Sequence, residues 1–368
     1  MSNQHKNGIS LSTILKISGA FIAFQIGPTF SSGQEPMQYF VVHGLGSIPA
    51  SAIVLSLFIY LCYSFLRLGK NKGLTRNEDI FRHYCGKHIG TAISWYTMLL
   101  IIAVHALMLS GTGAALEQAY GLPMNMGSGL MALASMATLL LGLRKIVDII
   151  SGIGPIIVIL TLFIAVTTLM SNHNNITTNT KIIPGLEIMS ITSHWLSSAV
   201  MYVGMSILGL ACFITPLGRN ISNDKNILFS AIGGPLFFCA GLVTLCLALV
   251  SSIDIVHGEM IPTLALAANV LPLYGSIFAI VIFFGIYTSA TPLLWTVCAR
   301  FAEDKTKKYN ILVITLTLVG WFGGMILPFD KLVNLLHPTI GVAGVIFIVC
   351  ALWTDSREYF LKYKKNKG

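Results

Sequence analysis

The sequence predicts an all-α membrane protein of ten transmembrane helices, built as two inverted five-helix repeats with the first and sixth helices broken. Three observations lead there. Apolar residues make up 55% of the 368 positions and charged residues only 10%. Apolar runs of about 18 residues or more recur along the chain, each long enough to cross roughly 30 Å of hydrocarbon. Lys and Arg then fall almost wholly on one side of the alternation that these runs define.

The runs lie near 10–43, 46–67, 89–118, 124–143, 147–170, 195–217, 227–252, 273–301, 309–327 and 333–354, bounded by charge, Gly, Pro and Asn. With the N-terminus inside, all of the 23 Lys and Arg residues except Lys181 and Lys331 lie in inside segments. A wrong span count would scramble that bias, so it predicts a bacterial-type inner membrane protein with both termini cytoplasmic. The net charge of +9 is thereby assigned to membrane topology and to anionic lipid, and not to nucleic acid. Residues 1–9 form a cytoplasmic N-terminus, 10–170 the first repeat, 195–354 the second, and 355–368 a basic tail read as disordered from Lys362. The polar start and the lack of a small-residue cleavage site make the first run a helix and not a signal peptide. Asn77 to Tyr84 reads as a short amphipathic helix on the cytoplasmic face. The seven cysteines have no metal-ligand spacing and read as small core residues.

The first run is too long for one straight span: its 34 residues would cover about 50 Å. In its middle, Pro28 cannot donate to the helical ladder and pushes Gly27 out of the helical region. Ser32 with Glu35 three residues later reads as a capping box, and Pro36 is tolerated in the first turn that follows. One helix therefore stops near Ile26 and another starts near Ser32, both at membrane depth. Non-helical backbone there must be buried in protein or line a cavity, and broken helices of this kind build the sites of secondary transporters. The sixth run, counterpart of the first in an inverted repeat, holds Gly204 and Gly209 around Ser206. It is expected to break as well, or else to use these glycines for packing.

Gly27-Pro28-Thr29-Phe30-Ser31-Ser32-Gly33-Gln34-Glu35 resembles the Gly-Ala-Gly-Phe-Ala-Ser-Gly-Gln-Glu stretch of the YkvI-type amino-acid permeases. These belong to the amino acid–polyamine–organocation superfamily, which has the LeuT fold. Pro28 and Thr29 depart from the small residues of that family. The resemblance implies a sodium site made by the carbonyls of Ala23 and Ile26 with Gly285, Thr288 and Ser289 of the eighth run, which match a small-x-x-Ser/Thr-Ser/Thr pattern. Neutral hydroxyls and carbonyls suit a hard monovalent cation; the alternative is hydroxyls bonded to their own helix.

The function expected is secondary transport of a small amino-acid-like or amine-bearing solute across the bilayer, with no cofactor other than Na+ as coupling ion. Gln25, Gly27, Thr29, Phe30, Ser31, Ser32 and Glu35 would meet the solute from one side, Tyr202, Gly204 and Ser206 from the other, with His105 from the third run. Glu35 and His105 are ionisable groups at membrane depth and so candidates for function, proton coupling included. Glu35 also has its capping role, and His105 a structural one. A solute receptor on the same fold that moves nothing is the alternative to transport. No paired metal-binding His motif, nucleophile elbow or acidic dyad points to an enzyme.

Overall fold

The computed structural model describes residues 9–74, 77–141, 153–221 and 223–367. Arg144, Lys145 and Asp148 and the start of the fifth predicted span lie outside the described residues. The described chain is helical throughout: α1 (Leu11–Gln25), α2 (Pro28–Ser31), α3 (Gln34–Tyr39), α4 (Ser47–Lys72), α5 (Asn77–Tyr120), α6 (Met124–Leu141), α7 (Ile153–Asn172), α8 (Ile176–Ile182), α9 (Trp195–Leu217), α10 (Asp224–Ser251), α11 (Ile253–Val256), α12 (Pro262–Val270), α13 (Pro272–Phe301), α14 (Lys307–Gly324) and α15 (Phe329–Lys367). Among the described residues, eight helical spans are long and apolar enough to cross a membrane. The first predicted span is divided into α1, α2 and α3, and the ninth is the 18-residue α14.

Side-chain caps set several of these boundaries. Ser10 Oγ accepts from the Thr13 amide at 3.3 Å, Asn223 Oδ1 from Lys225 at 2.9 Å and Thr306 Oγ1 from Tyr309 at 3.2 Å. Gly73, at φ 62°, closes α4 in the left-handed conformation. Within α5, Gly86 at φ 74° and ψ 178° separates the expected amphipathic segment from the long third span.

Each of the first four spans packs on its counterpart in the second half: α1 on α9, α4 on α10, α5 on α13 and α6 on α14. Elements related by an axis through the middle of a bundle meet in this way. The core between them is aromatic, with Phe21, Phe58 and Phe238 in edge-to-face contact at 5.4 to 6.2 Å.

One expectation is corrected here. The sixth span is unbroken: α9 runs as 23 helical residues, with its single proline, Pro216, in the last turn. Its glycines serve close packing. A Cβ on Gly344 of α15 would lie 1.7 Å from the Gly204 carbonyl, and one on Gly209 would lie 2.9 Å from the Phe24 ring. With an amide at every position up to Pro216, nothing interrupts the ladder.

The basic face is held by α15, which continues about 58 Å to Lys367 where a disordered tail was expected. Tyr60 and Ser64 of α4 donate to Asp355 Oδ2 at 2.8 and 2.5 Å, Ser64 and Tyr84 hydroxyls share a hydrogen bond at 2.8 Å, and Thr354 donates to the Tyr84 carbonyl. Glu358 pairs with Lys72 at 3.5 Å. The amphipathic segment is thus tied to both α4 and α15. Asp355→Ala leaves two hydroxyls without their acceptor and should cost about 1–3 kcal/mol. Faster tryptic cleavage at Arg82 and Lys87, with a lower melting midpoint, is the expected readout, and Asp355→Asn should do less.

Candidate functional site

The break in the first span arises where the residues predict it. α1 ends at Gln25; Ile26, at φ −85° and ψ 72°, leaves the helical region while its amide still bonds to Ile22. The carbonyls from Ala23 to Ile26 are then the four that a helix end leaves without intrahelical partners. One turn, α2, follows, in which the Ser31 amide bonds to Gly27 at 3.0 Å. Gly33, at φ 85° and ψ −5°, turns the chain into α3.

The cap differs from the one expected. Gly33, not Ser32, precedes α3, and Ser32 Oγ accepts from the Gln34 amide at 3.3 Å while donating to the Thr29 carbonyl at 2.8 Å. Glu35 does not reach back to the Ser32 amide. Its buried carboxylate instead accepts from the Thr29 hydroxyl and lies beside Tyr202 of α9. Glu35 therefore joins α2, α3 and α9, and it takes part in none of the ion pairs among the described residues.

Most of the predicted contact residues gather here. Gln25 donates to Ser206 Oγ at 3.4 Å, and Gln25 Oε1 and Ser31 Oγ are buried without a partner. Phe30 packs on Phe238 at 5.4 Å, and the Gly27 Cα faces open space. Tyr202 and Ser206, four residues apart on α9, share the face turned to the break. Gly204 does not: two residues on, it points about 200° away and lies against α15 at Gly341 and Gly344. Gly204 is therefore a packing residue and no part of this wall.

His105 is also placed elsewhere. Its Nδ1 lies 3.2 Å from the Ala290 carbonyl of α13, and its ring fills the space beside Gly320 of α14. It packs among three helices, and its Nε2 is buried without a hydrogen-bond partner. In the eighth span, Thr288 Oγ1 donates to the Gly285 carbonyl at 2.8 Å, and a Cβ on Gly285 would strike Ile157 of α7 at 2.2 Å. Ser289 is half-buried. α13 packs against α2, the turn that follows the break.

Sequence reasoning missed what closes the site. The Ser31 and Ser32 carbonyls are taken by the Thr263 hydroxyl and amide of α12, the latter at 3.1 Å. Gln34 Nε2 donates to the Glu259 and Met260 carbonyls at 2.9 and 3.0 Å. Gln118 of α5 makes a reciprocal pair with the Ile261 amide and carbonyl at 2.9 and 3.1 Å. The segment 259–270 is thus clamped over the broken helix. Gln118→Ala removes both bonds of that pair, worth about 1.4 kcal/mol, so hydrogen exchange of the Ile261 amide should accelerate about tenfold.

A membrane protein of the LeuT fold, with a first helix broken around a buried carboxylate, is what this architecture defines. Solved structures of that fold match nearly the whole chain. MhsT in complex with L-phenylalanine has a TM-score of 0.59 at 14% identity, over 93% of this chain and 91% of that one. A variant of the Eremococcus coleocola manganese transporter has a TM-score of 0.57 at 15% identity, over 96% and 79%. Among curated proteins, the chain is similar to YkvI of Bacillus subtilis strain 168, an uncharacterized membrane protein, at 18% identity over 338 residues, 90% of this chain and 93% of that protein. It is similar to YyaD of the same strain at 22% identity over 342 residues, 89% and 92%. No family model matches. The resemblance read from the Gly27–Glu35 stretch is borne out at this level.

Proposed function

We propose that the protein is a secondary active transporter of a small amino-acid-like or amine-bearing solute, with the solute held at the break between α1 and α3. One observation carries the reading: the first span opens its backbone beside a buried carboxylate that has a hydroxyl partner and no ion pair among the described residues. Helix ends in such a site offer carbonyls to a cation and amides to an anion, the complementary needs of a zwitterion. The L-phenylalanine held by MhsT is in keeping with a solute of this class. No cluster of three or more His, Cys, Asp and Glu occurs among the described residues, which favours an organic solute over a transition metal.

For coupling, the first reading is sodium at the Ala23 and Ile26 carbonyls with Gly285, Thr288 and Ser289. Proton coupling through Glu35 and His105 is the second reading, favoured by the lack of an ion-pair partner for Glu35 among the described residues and by the buried, unpartnered His105 Nε2. Thermal stabilisation of the purified protein by a panel of amino acids and amines, with and without sodium and at pH 6 and 8, tests both. A sodium-dependent ligand supports the first reading and a pH-dependent one the second. Binding with no uptake into proteoliposomes would identify a receptor, and no ligand from either class would overturn the proposal.

A further inference from the structure

The basic face carries a cavity that the broken helix does not use. It has a volume of about 620 Å³ and lies between the amphipathic segment and α15, with Lys72, His83, Cys85, Trp353 and Arg357 in its lining. A second cavity, of about 390 Å³, shares Lys72, His83, Tyr84 and Glu358 with the first and adds Arg67.

One part of the lining is apolar. Val349, Trp353, Arg357 and Leu361 follow one another at four-residue spacing, so they form a single stripe along α15. Val349, Trp353 and Leu361 are 60%, 73% and 57% exposed, which in a membrane protein is exposure to lipid. Charge begins at Arg67 in α4 and at Asp355 in α15, and the bonds from Tyr60 and Ser64 to Asp355 bring these two beginnings to nearly the same level. Trp353, Tyr63 and Tyr359 stand there as well, where indole and phenol rings favour the boundary between hydrocarbon and water. The cavity therefore straddles that boundary, with Val349 and Trp353 on one side of it and Arg357 and Lys72 on the other.

The other part of the lining is charged, and its carboxylates are already engaged. Asp355 accepts from Tyr60 and Ser64, and Glu358 pairs with Lys72 at 3.5 Å. Lys72 also donates to His83 Nδ1 at 3.0 Å. Arg357 and Arg67 belong to none of the ion pairs among the described residues. Arg67 lies over the Tyr63 ring at 6.0 Å. A guanidinium left in this way at the mouth of a cavity suits a phosphate, which it can take with two parallel hydrogen bonds.

We propose that this cavity holds the headgroup of an anionic phospholipid, with its phosphate on Arg357 and Lys72 and an acyl chain along Trp353 and Val349. A soluble anion would satisfy the cations and leave the apolar stripe unused; a lipid accounts for both. Bound there, it touches α4, the amphipathic segment and α15 together, and so reinforces the contacts around Asp355. The proposal is independent of the solute and of the coupling ion.

Trp353 is its own reporter. The whole protein is placed in phosphatidylcholine nanodiscs that contain a minor fraction of brominated phosphatidylglycerol or, in parallel, of brominated phosphatidylcholine. The Trp353 part of the emission is the difference from Trp353→Phe. Brominated phosphatidylglycerol should quench it about fivefold more effectively per lipid than brominated phosphatidylcholine, the preference that one basic contact to an anionic lipid confers. Arg357→Gln should remove that preference and leave the melting midpoint in pure phosphatidylcholine unchanged, because Arg357 is exposed and outside the ion pairs. Lys364→Gln, an exposed cation of the same helix outside the lining, should keep it. Equal quenching by the two lipids, or a preference that survives Arg357→Gln, overturns the site. An equal loss in Lys364→Gln would show diffuse attraction to the basic face and overturn it too. Thermal stabilisation by glycerol 3-phosphate in phosphatidylcholine nanodiscs, as large as that by phosphatidylglycerol, would put a soluble anion in the cavity in place of the lipid.

Discussion

Gly344→Val should abolish folded protein. A Cβ at this position lies 1.7 Å from the carbonyl oxygen of Gly204 and 2.4 Å from its carbon, so the obstacle is backbone and no rotamer change relieves it. α9 and α15 would have to separate along their whole contact, which is among the most extensive in the molecule. Ordinary overpacking costs about 1–3 kcal/mol, and displacing a helix exceeds that range. The expected result is at least a tenfold fall in monodisperse protein on size exclusion. Gly19→Ala in α1 is the control: nothing lies within 4 Å of the added Cβ, and alanine favours a helix by about 1 kcal/mol. Yield and melting midpoint should hold or rise. An equal loss in both variants would show that the α9–α15 contact is not what Gly344 protects.

The second large effect belongs to Gly33. Its φ of 85° suits glycine, and a Cβ there would meet Thr263 Cγ2 at 3.0 Å and the Thr263 amide at 3.1 Å. Left-handed backbone costs a non-glycine residue about 1–2 kcal/mol, more when it is β-branched, and the contact with α12 adds to that. Gly33→Val should therefore lower stability by about 2–3 kcal/mol, and Gly33→Ala by less. The sign of the mechanism is read locally. If turn and cover form one unit, the Thr263 amide, which donates to Ser32, should exchange its hydrogen at least tenfold faster in Gly33→Val while amides in α4 keep their rates. Uniform acceleration would mean general destabilisation instead.

The parts of this fold that could be read in the sequence are those written by local chemistry. Hydrocarbon selects long apolar runs, so the helices among the described residues follow one another in the order of those runs, eight of them long and apolar enough to cross a membrane. Gly27-Pro28 breaks a helix through its own backbone, and the break is where those residues stand. What could not be read depends on which helix lies opposite. Gly204 and Gly209 look like weak points in a single strand of text; only the presence of Gly344 and Phe24 shows them to be contact surfaces. Glu35 fits a capping box by spacing, yet the Thr29 hydroxyl takes its carboxylate. Thr263 covers Ser31 from 232 positions away, a distance over which no pattern carries. His105 drew attention because it interrupts an apolar run, and only the fold shows that its ring lies between Ala290 of α13 and Gly320 of α14.

The knot around Asp355 has a meaning in time as well as in space. Tyr60, Ser64 and Tyr84 belong to the first quarter of the chain and reach the basic face early in synthesis. The carboxylate that Tyr60 and Ser64 bind follows 295 and 291 positions later. Until Asp355 leaves the ribosome, these hydroxyls lack their acceptor, and Phe347 reaches Phe81 and Tyr84 only shortly before it. The clasp between α4, the amphipathic segment and α15 therefore closes long after its first half is made, and until then that segment stays open to quality-control proteases.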